Sequence, residues 1–277
     1  MSRKRAKQRR PQATNPIVTQ LRQLRRRKVR DESGTFYIEG NRIVAQALQS
    51  AYQIERGVIA PALLLGERAQ QTAQALRETG APVTELSPAE FGAISFKENL
   101  QGLGAVVRTR WEGLEAVRPD PGLGWVALDN VGNSGNLGAI LRTGDAVGAA
   151  GMILLGQTTD PYHPAAVRAS MGAVFGQRLV RAGFAEFVAW KRANGYPVVG
   201  TSGQAALSYR AVTYPDPCIL LMGSERLGLT EAQQAACDRV VHIPMVGSSD
   251  SLNLGVATSL VLYEIFHQRQ QGNGTLT

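Results

Sequence analysis

The chain has few of the residues that build disulfide frameworks and zinc sites. Its two cysteines and three histidines are Cys218, Cys237, His163, His242 and His267. None of them has C-x-x-C or H-x-x-x-H spacing, so we expect neither a disulfide framework nor a metal site. We also expect the protein to function in a reducing compartment. Long apolar runs are also missing, since a stretch such as Val147–Leu155 is far shorter than the roughly 20 residues that span a bilayer. The 277 residues, 44% of them hydrophobic, predict one large or two modest globular domains.

Acidic residues are absent from the first 30 positions. Met1–Arg30 holds 12 of the 30 Lys and Arg and none of the 22 acids, so the rest of the chain is mildly acidic. Asn15 and Pro16 form a helix-start signal, and Ile17, Leu21, Leu24 and Lys28 follow at helical spacing. The other face of this helix carries Arg22, Arg25, Arg26 and Arg27. Because arginine arrays suit phosphate oxygens, we predict a nucleic-acid-binding segment; the alternative is a solvated face that only aids solubility.

The basic start also bears on targeting. A secretory signal needs an apolar stretch after its charged start, and residues 1–16 are polar almost throughout, so we expect a cytoplasmic protein. Arg-rich, acid-poor segments are also typical of transit peptides, so organellar targeting stays open as an alternative.

Hydrophobic patterning divides the remainder into two α/β units joined by a linker. Residues 31–110 alternate short strand-like and helix-like pieces and predict a small domain, residues 111–124 are rich in Pro and Gly, and residues 125–277 form the second unit. The pieces of the first unit are Phe36–Glu39, Asn41–Ser50, Glu55–Ile59, Gly66–Thr79, Val83–Leu86, Pro88–Ile94 and Leu103–Arg108.

The second unit alternates apolar strands with helices. The predicted strands are Trp125–Leu128, Met152–Leu155, Val198–Gly200, Cys218–Met222 and Val240–Met245. The predicted helices are Ala139–Val147, Ala165–Phe175, Phe187–Ala193, Thr230–Cys237 and Leu252–Gln268, with Asn130–Asn136 as a Gly/Asn loop. This alternation predicts a mostly parallel sheet covered on both faces.

Three loops after strands are unusual, and ligands of parallel sheets bind at the carboxyl ends of the strands. They are DNVGNSGNLGAILR (Asp129–Arg142), MGSERLG (Met222–Gly228) and IPMVGSSDSLN (Ile243–Asn253). The glycines of the first loop follow G-x-x-G-x-x-G, which differs from the dinucleotide fingerprint G-x-G-x-x-G. Taken singly, each loop is also explained as an ordinary turn or helix cap.

In this order the segments resemble a known family. NSGNLGAILRTGDAVGA (Asn133–Ala149), LLMGSERLGL (Leu220–Leu229) and IPMVGSSDSLNLGVATSLVLYE (Ile243–Glu264) are similar to the three motifs of SpoU-type RNA ribose 2′-O-methyltransferases of the SPOUT superfamily. VRASMGAVF (Val167–Phe175) resembles the same family, and FYIEGNRIVAQAL (Phe36–Leu48) resembles its amino-terminal RNA-binding domain. The resemblance covers nearly the whole chain from Asn15.

The resemblance implies a parallel-sheet methyltransferase domain with a trefoil knot, S-adenosylmethionine as cofactor, an RNA substrate, no metal and a homodimer. By position in the motifs, it assigns the catalytic site to Asn136, Arg142, Glu225, Ser251 and Asn253. It places the cofactor against Thr201, Ser202, Gly203, Leu221, Gly223, Ile243, Met245, Ser251 and Leu252. The added amino-terminal domain favours large-subunit ribosomal RNA over transfer RNA by analogy.

The family proposal makes the arginine the base that activates the ribose hydroxyl. A guanidinium has a pKa above about 12 and is costly to deprotonate. We therefore expect Arg142 to clamp a neighbouring phosphate and to stabilise the developing alkoxide, while the proton passes to phosphate or water.

Three alternatives stay open at the level of sequence. The first is a dehydrogenase that uses Gly132–Gly138 for a pyrophosphate and Asp160 for a ribose hydroxyl. The others are a tRNA 2′-O-methyltransferase and a non-catalytic RNA-binding protein of ribosome assembly. For the dimer, we expect an apolar stripe on the last helix to pair two copies, the alternative being that it packs on its own sheet. The stripe consists of Leu254, Ala257, Val261, Leu262 and Ile265.

Overall fold

The computed structural model describes residues 15–118 and 123–272. The first domain is a four-stranded sheet in the order β1-β4-β2-β3, in which β4 runs antiparallel to β1 and β2, and β3 runs parallel to β2. Its elements are α1 (Pro16–Gln23), α2 (Arg27–Ser33), β1 (Thr35–Glu39), α3 (Asn41–Leu48), β2 (Ile54–Ile59), α4 (Glu67–Glu78), β3 (Val83–Glu85), α5 (Pro88–Ile94) and β4 (Leu103–Arg108).

Two helices stand where the sequence predicts one basic helix running to Lys28. The Asn15 side chain caps α1 as expected, but Arg26 is extended and ends the helical path. Arg30 Nη1 then donates hydrogen bonds to the carbonyl oxygens of Leu24 and Arg25, at 2.8 and 2.9 Å. These bonds replace the helical hydrogen bonds that are lost at the break.

The basic segment is also not separate from the first domain. Val18, Leu21 and Leu24 are buried against β1, β2 and α5 in a shared core, so residues 15–30 belong to this domain although the sequence predicts a domain start at 31. Of the predicted phosphate-binding arginines, Arg25 and Arg27 have partners within the chain. Arg25 stacks over the Phe96 ring and donates to the carbonyls of Ile94 and Ser95, and Arg27 pairs with Asp31 at 3.5 Å. Residues 1–14 lie outside the described residues.

The second domain is a seven-stranded sheet in which every pair is parallel, in the order β7-β6-β5-β10-β8-β11-β9. This confirms the predicted parallel sheet. Its elements are β5 (Trp125–Asp129), α6 (Ser134–Ala146), β6 (Gly151–Leu155), α7 (Pro164–Ala169), β7 (Arg178–Ala182), α8 (Phe184–Asn194), β8 (Val198–Thr201), β9 (Leu207–Ser208), β10 (Ile219–Met222), α9 (Glu231–Ala235), β11 (Arg239–His242) and α10 (Leu254–Gly272).

Several predicted elements are wrong in extent. The helix expected from Ala139 starts at Ser134, because Asn133 caps it by accepting from the amides of Gly135 and Asn136. The helix expected over Ala165–Phe175 ends at Ala169; Met171 and Gly172 then have left-handed backbones, with φ of +53° and +95°, and a 3-10 turn follows. The last helix begins at Leu254, so the residues before it form a loop.

One apolar core joins the two domains. Phe36 of β1 contacts Tyr162 and Phe175 of the second domain, with ring centroids 4.5 and 6.3 Å apart. Beside them, the fully buried Arg30 pairs with Asp160 at 2.7 Å. In the described part of the chain, no helix is both long and apolar enough to cross a bilayer, and no three His, Cys, Asp or Glu side chains group in a way that could hold a metal.

Candidate active site

The loops at the carboxyl ends of β8, β10 and β11 enclose a cavity of about 470 Å³ that we call the cofactor cavity. All the predicted cofactor residues except Leu221 line it: Thr201, Ser202, Gly203, Gly223, Ile243, Met245, Ser251 and Leu252. Leu221 is fully buried in the core beside Val198 and Leu229, because strand alternation turns it away and turns Met222 toward the cavity. Leu221 therefore does not line the cavity, and its role in cofactor binding stays a prediction.

The second motif forms a tight loop around this cavity. The Gly228 amide donates to the Ser224 carbonyl at 3.0 Å, and a methyl group on Gly223 would collide with the backbone of Gly228. Gly228 itself has a φ of +62°. Glycine is thus required at both ends of the loop, once for close approach and once for a left-handed backbone.

Glu225 projects from that loop and binds the start of α6. Its carboxylate accepts from the backbone amides of Gly132 and Asn133, both at 3.0 Å, and from Asn136 Nδ2 at 3.2 Å. Partial burial opposes ionisation of this carboxyl, but the hydrogen bonds outweigh that effect and lower the pKa of Glu225. Glu225 therefore holds the first and second motifs together as an anion.

Asn253 joins the third motif to the same group. Its Nδ2 donates to Asn136 Oδ1 at 2.9 Å, while its Oδ1 caps α10 by accepting from the amides of Gly255 and Val256. Ser251 is exposed beside it. A shallow depression of about 570 Å³, here the acceptor depression, is lined by Asn136, Glu225, Ser251 and Asn253 and adjoins the cofactor cavity.

Arg142 does not join these four residues. It is exposed on α6, lines neither the cofactor cavity nor the acceptor depression, and makes no hydrogen bond or ion pair within the described chain. The structure therefore brings together four of the five predicted catalytic residues and leaves the arginine available for a group from outside this chain.

The geometry removes the basis of the dehydrogenase alternative. The amides of Gly132 and Asn133, which a pyrophosphate would need, are taken by Glu225. Gly138 serves helix packing, because a methyl group there would collide with the Ala166 carbonyl of α7. Asp160 is buried in its pair with Arg30 and is not free to bind a ribose.

Comparison with known proteins finds matching families along most of the chain. Residues 125–263 match the SpoU rRNA Methylase family, and residues 15–105 match the MRM3-like substrate binding domain. The chain belongs to the SpoU rRNA methylase family. The predicted family resemblance is thereby confirmed, and the chain is an RNA methyltransferase.

Relatives of this SpoU protein include full-length matches. It is 29% identical to the 23S rRNA (guanosine(2553)-2′-O)-methyltransferase RlmP of Bacillus subtilis, over 91% of this chain and 97% of that one. It is 38% identical to the 23S rRNA (uridine(2479)-2′-O)-methyltransferase of Streptomyces viridochromogenes, but that match spans only 55% of each protein. The crystal structure of an AdoMet-bound rRNA methyltransferase from Sinorhizobium meliloti superimposes with a TM-score of 0.84 and 37% identity, over 92% of this chain and 96% of that one.

The cofactor cavity of this SpoU protein fits S-adenosylmethionine. Its volume falls in the range of roughly 300–1,000 Å³ that is usual for small-molecule sites. Its walls combine the apolar side chains of Leu229, Ile243 and Leu254 with backbone at Gly203 and Gly228, which suits a flat base with polar edges. Sequence reasoning missed Leu229 and Leu254, although both lie in the motif segments that carry the family resemblance.

Proposed function

We propose that this SpoU protein transfers the methyl group of S-adenosylmethionine to a ribose 2′-hydroxyl of large-subunit ribosomal RNA. One observation carries the proposal: Glu225, Asn136 and Asn253, from three distant motifs, are hydrogen-bonded into one group where the acceptor depression meets the cofactor cavity. The substrate class follows from the relatives, which are named for 2′-O-methylation of 23S rRNA.

A ribose hydroxyl is a weak nucleophile, whereas the sulfonium methyl of the cofactor is a strong electrophile, so placement decides the rate. In our proposal, Asn136, Ser251 and Asn253 hold the ribose in the acceptor depression by neutral hydrogen bonds. Glu225 positions Asn136 and the start of α6. Arg142 binds the phosphate beside the target ribose and stabilises the alkoxide as the proton leaves to phosphate or water.

We further propose that the protein acts in the cytoplasm as a homodimer with a knotted second domain. The predicted dimer stripe is wrong, because Leu254, Val261, Leu262 and Ile265 are buried on their own chain. The opposite side of α10 supports the dimer instead. Val256, Leu260 and Tyr263 follow one another at i, i+4 and i+7 and are 50%, 38% and 52% exposed, which is typical of an interface.

The decisive experiment supplies the purified protein with tritium-labelled S-adenosylmethionine and, separately, unmodified 23S rRNA, 50S precursors and total tRNA. We expect label in ribosomal RNA, at one ribose that resists alkaline cleavage after the reaction. Label in tRNA alone would contradict the rRNA assignment in favour of the tRNA alternative. Cofactor binding without transfer to any RNA would favour the non-catalytic assembly protein.

A further inference from the structure

A second cavity, of about 320 Å³, lies between the two domains, and we call it the interdomain cavity. It is bounded by the end of β1, the start of α3, the loop after α5, and α7 with the residues that follow it. It shares no residue with the cofactor cavity or the acceptor depression. Part of its wall comes from VRASMGAVF, the family-like segment that has no role in the proposed methyl transfer.

The charges around the interdomain cavity are unbalanced. Its wall carries four cations, Arg42, Arg68, Lys97 and Arg168. Within the described residues, the charged groups of these four side chains have no ion pair and no hydrogen bond. The single carboxylate in the wall, Glu39, accepts from Ser95 Oγ at 2.8 Å and from the Phe96 amide at 3.1 Å, and it also interacts with the charge of Lys97, so the wall keeps an excess of positive charge. The cavity therefore has spare donors for an anion.

A buried polar atom without a partner points to a ligand as well. Tyr37 lines the cavity and is only 3% exposed, yet its hydroxyl has no hydrogen-bond partner. The ring lies along the sheet toward the carboxyl end of β1, since a methyl group on Gly104 would collide with that hydroxyl. Asn41 Oδ1 is buried without a partner at the start of α3. Because buried polar atoms are almost always satisfied, both atoms indicate a group that the protein chain alone does not supply.

The start of α3 adds to the same preference for an anion. Gly40 occupies the cap position with a φ of +102°, and no acidic residue stands in the first turn, while Gln101 Oε1 accepts from the Asn41 amide at 3.1 Å. No carboxylate of that turn therefore offsets the positive end of the helix dipole.

The remaining wall is apolar and includes an aromatic ring. Phe96, Val167 and Met171 face the same space as the four cations. A flat apolar group beside an anion is the chemistry of a nucleotide, in which the base packs on rings and methionine while the phosphate binds cations. We propose that the interdomain cavity binds one unpaired nucleotide of the RNA substrate, with Arg168 and Lys97 on its phosphate and Tyr37 donating to its base or ribose. This inference rests on the proposed function, because the nucleotide belongs to the RNA that is methylated.

Two variants separate binding from folding. Arg168→Ala should raise the KM for 23S rRNA about tenfold, as the loss of a charge-assisted phosphate contact does, and reduce the salt slope of binding by about 0.7–0.9. Tyr37→Phe should raise that KM by a smaller factor of about three. In both variants kcat at saturating RNA and the affinity for S-adenosylmethionine should stay at the wild-type values.

For Tyr37→Phe, the expected effect on stability is opposite to the expected effect on RNA binding. The Tyr37 hydroxyl has no partner in the protein, so Tyr37→Phe should keep or raise the urea midpoint of unfolding while it weakens RNA binding. Arg192→Ala is the matched control, since Arg192 is exposed on α8 and lines none of the three cavities. A lowered midpoint in Tyr37→Phe, or an equal rise of KM in Arg192→Ala, would overturn the proposal.

Crosslinking tests the cavity without any variant. 23S rRNA that carries 4-thiouridine should attach to peptides containing residues 37–43, 96–101 or 164–171 on irradiation. Uridine monophosphate that saturates the cavity at micromolar concentration, with an unchanged RNA KM in both variants, would make it a small-molecule site and contradict us. If the wild type methylates no RNA, the proposed function fails, whereas crosslinks to these peptides would still support the nucleotide site.

Discussion

At the scale of single residues, Arg142 is the site residue whose replacement should disturb the free protein least. It is exposed and has no partner in the described chain. We expect Arg142→Ala to abolish methyl transfer and to leave the affinity for S-adenosylmethionine within a few-fold of wild type, because the guanidinium is assigned to phosphate and alkoxide. Calorimetric titration of the cofactor and single-turnover transfer to rRNA measure the two effects.

Arg142→Lys is the sharper control for this assignment. It keeps the charge but loses the planar fork that grips a phosphate, so we expect transfer to remain poor. Equal loss of cofactor binding and transfer in Arg142→Ala would refute the role given to the arginine.

Glu225 should give the site its lower pH limit. Its folded pKa lies below the ordinary value of 4.5, so the anion's hold on Gly132, Asn133 and Asn136 is present above pH 4.5 and is lost as the pH falls through the folded pKa. We expect cofactor affinity to be flat from pH 5 to 8 and to fall below about pH 4.5. Glu225→Gln should bind S-adenosylmethionine more weakly, and its affinity should not change with pH over this range. A wild-type midpoint near pH 6 would show that another group controls the site.

The residues of the site were predictable one by one, but their contacts were not. Motif resemblance indicates Asn136, Glu225 and Asn253, whereas the chain of hydrogen bonds among them depends on three loops that only the folded sheet brings together. The same limit explains Asp160. In the sequence it stands at a spacing that fits a ribose ligand, and only the structure reveals that Arg30, 130 positions earlier, occupies its carboxylate.

At the scale of elements, α10 has one face for its own core and one face for a partner. Val261 is fully buried and Tyr263 is 52% exposed, only two residues away. We expect Tyr263→Glu to give a monomer of about 29.7 kDa in sedimentation, with little change in thermal stability, whereas the wild type sediments at roughly twice that mass. Val261→Glu buries an unpaired charge and should unfold the domain instead.

The result for Tyr263→Glu also tests the dimer's role in catalysis. An inactive, folded monomer would show that catalysis depends on the proposed dimer. A monomeric wild type with full activity would refute it.

The missed strand β7 shows where sequence patterns fail for elements. Its sequence RLVRA has arginines where alternation calls for apolar residues, so it does not read as a strand. In the structure, both arginine side chains stack on tryptophan rings. The Arg178 and Arg181 guanidinium groups lie 5.0 and 4.1 Å from the Trp125 and Trp111 rings. Such long-range stacking cannot be inferred from local propensity, whereas the continuous apolar strands β5, β6 and β10 were predicted within a residue or two.

At the scale of the whole molecule, the buried pair of Arg30 and Asp160 ties the first domain to the second. Both side chains are nearly inaccessible, and Asp160 also accepts from the Tyr162 amide at 2.9 Å. Arg30→Met alone should leave a buried unpaired carboxylate and lower the free energy of unfolding by about 3–5 kcal/mol. The double variant Arg30→Met, Asp160→Leu should recover most of that loss in urea denaturation. Additive losses would mean that the two groups do not act as a pair.

Truncation from the amino terminus should produce two distinct effects. Deleting residues 1–14 removes six Lys and Arg, so we expect weaker RNA binding and a flatter salt dependence. Deleting residues 1–30 also removes the core residues Val18, Leu21 and Leu24 and should destabilise the first domain. Filter binding measures the salt dependence of RNA binding. If it is unchanged after the shorter deletion, residues 1–14 do not bind RNA and only aid solubility.

The hydrogen bond from Asn253 to Asn136 has a consequence for the time at which the enzyme becomes active during its synthesis. The two residues are 117 positions apart, and α10, which Asn253 caps, also packs against α6 through Thr143 and Ser259. Domains tend to fold in the order in which they leave the ribosome. The methyl-transfer site can therefore form only after Asn253 has left the ribosome, and we expect a chain that stops before that residue to lack methyltransferase activity.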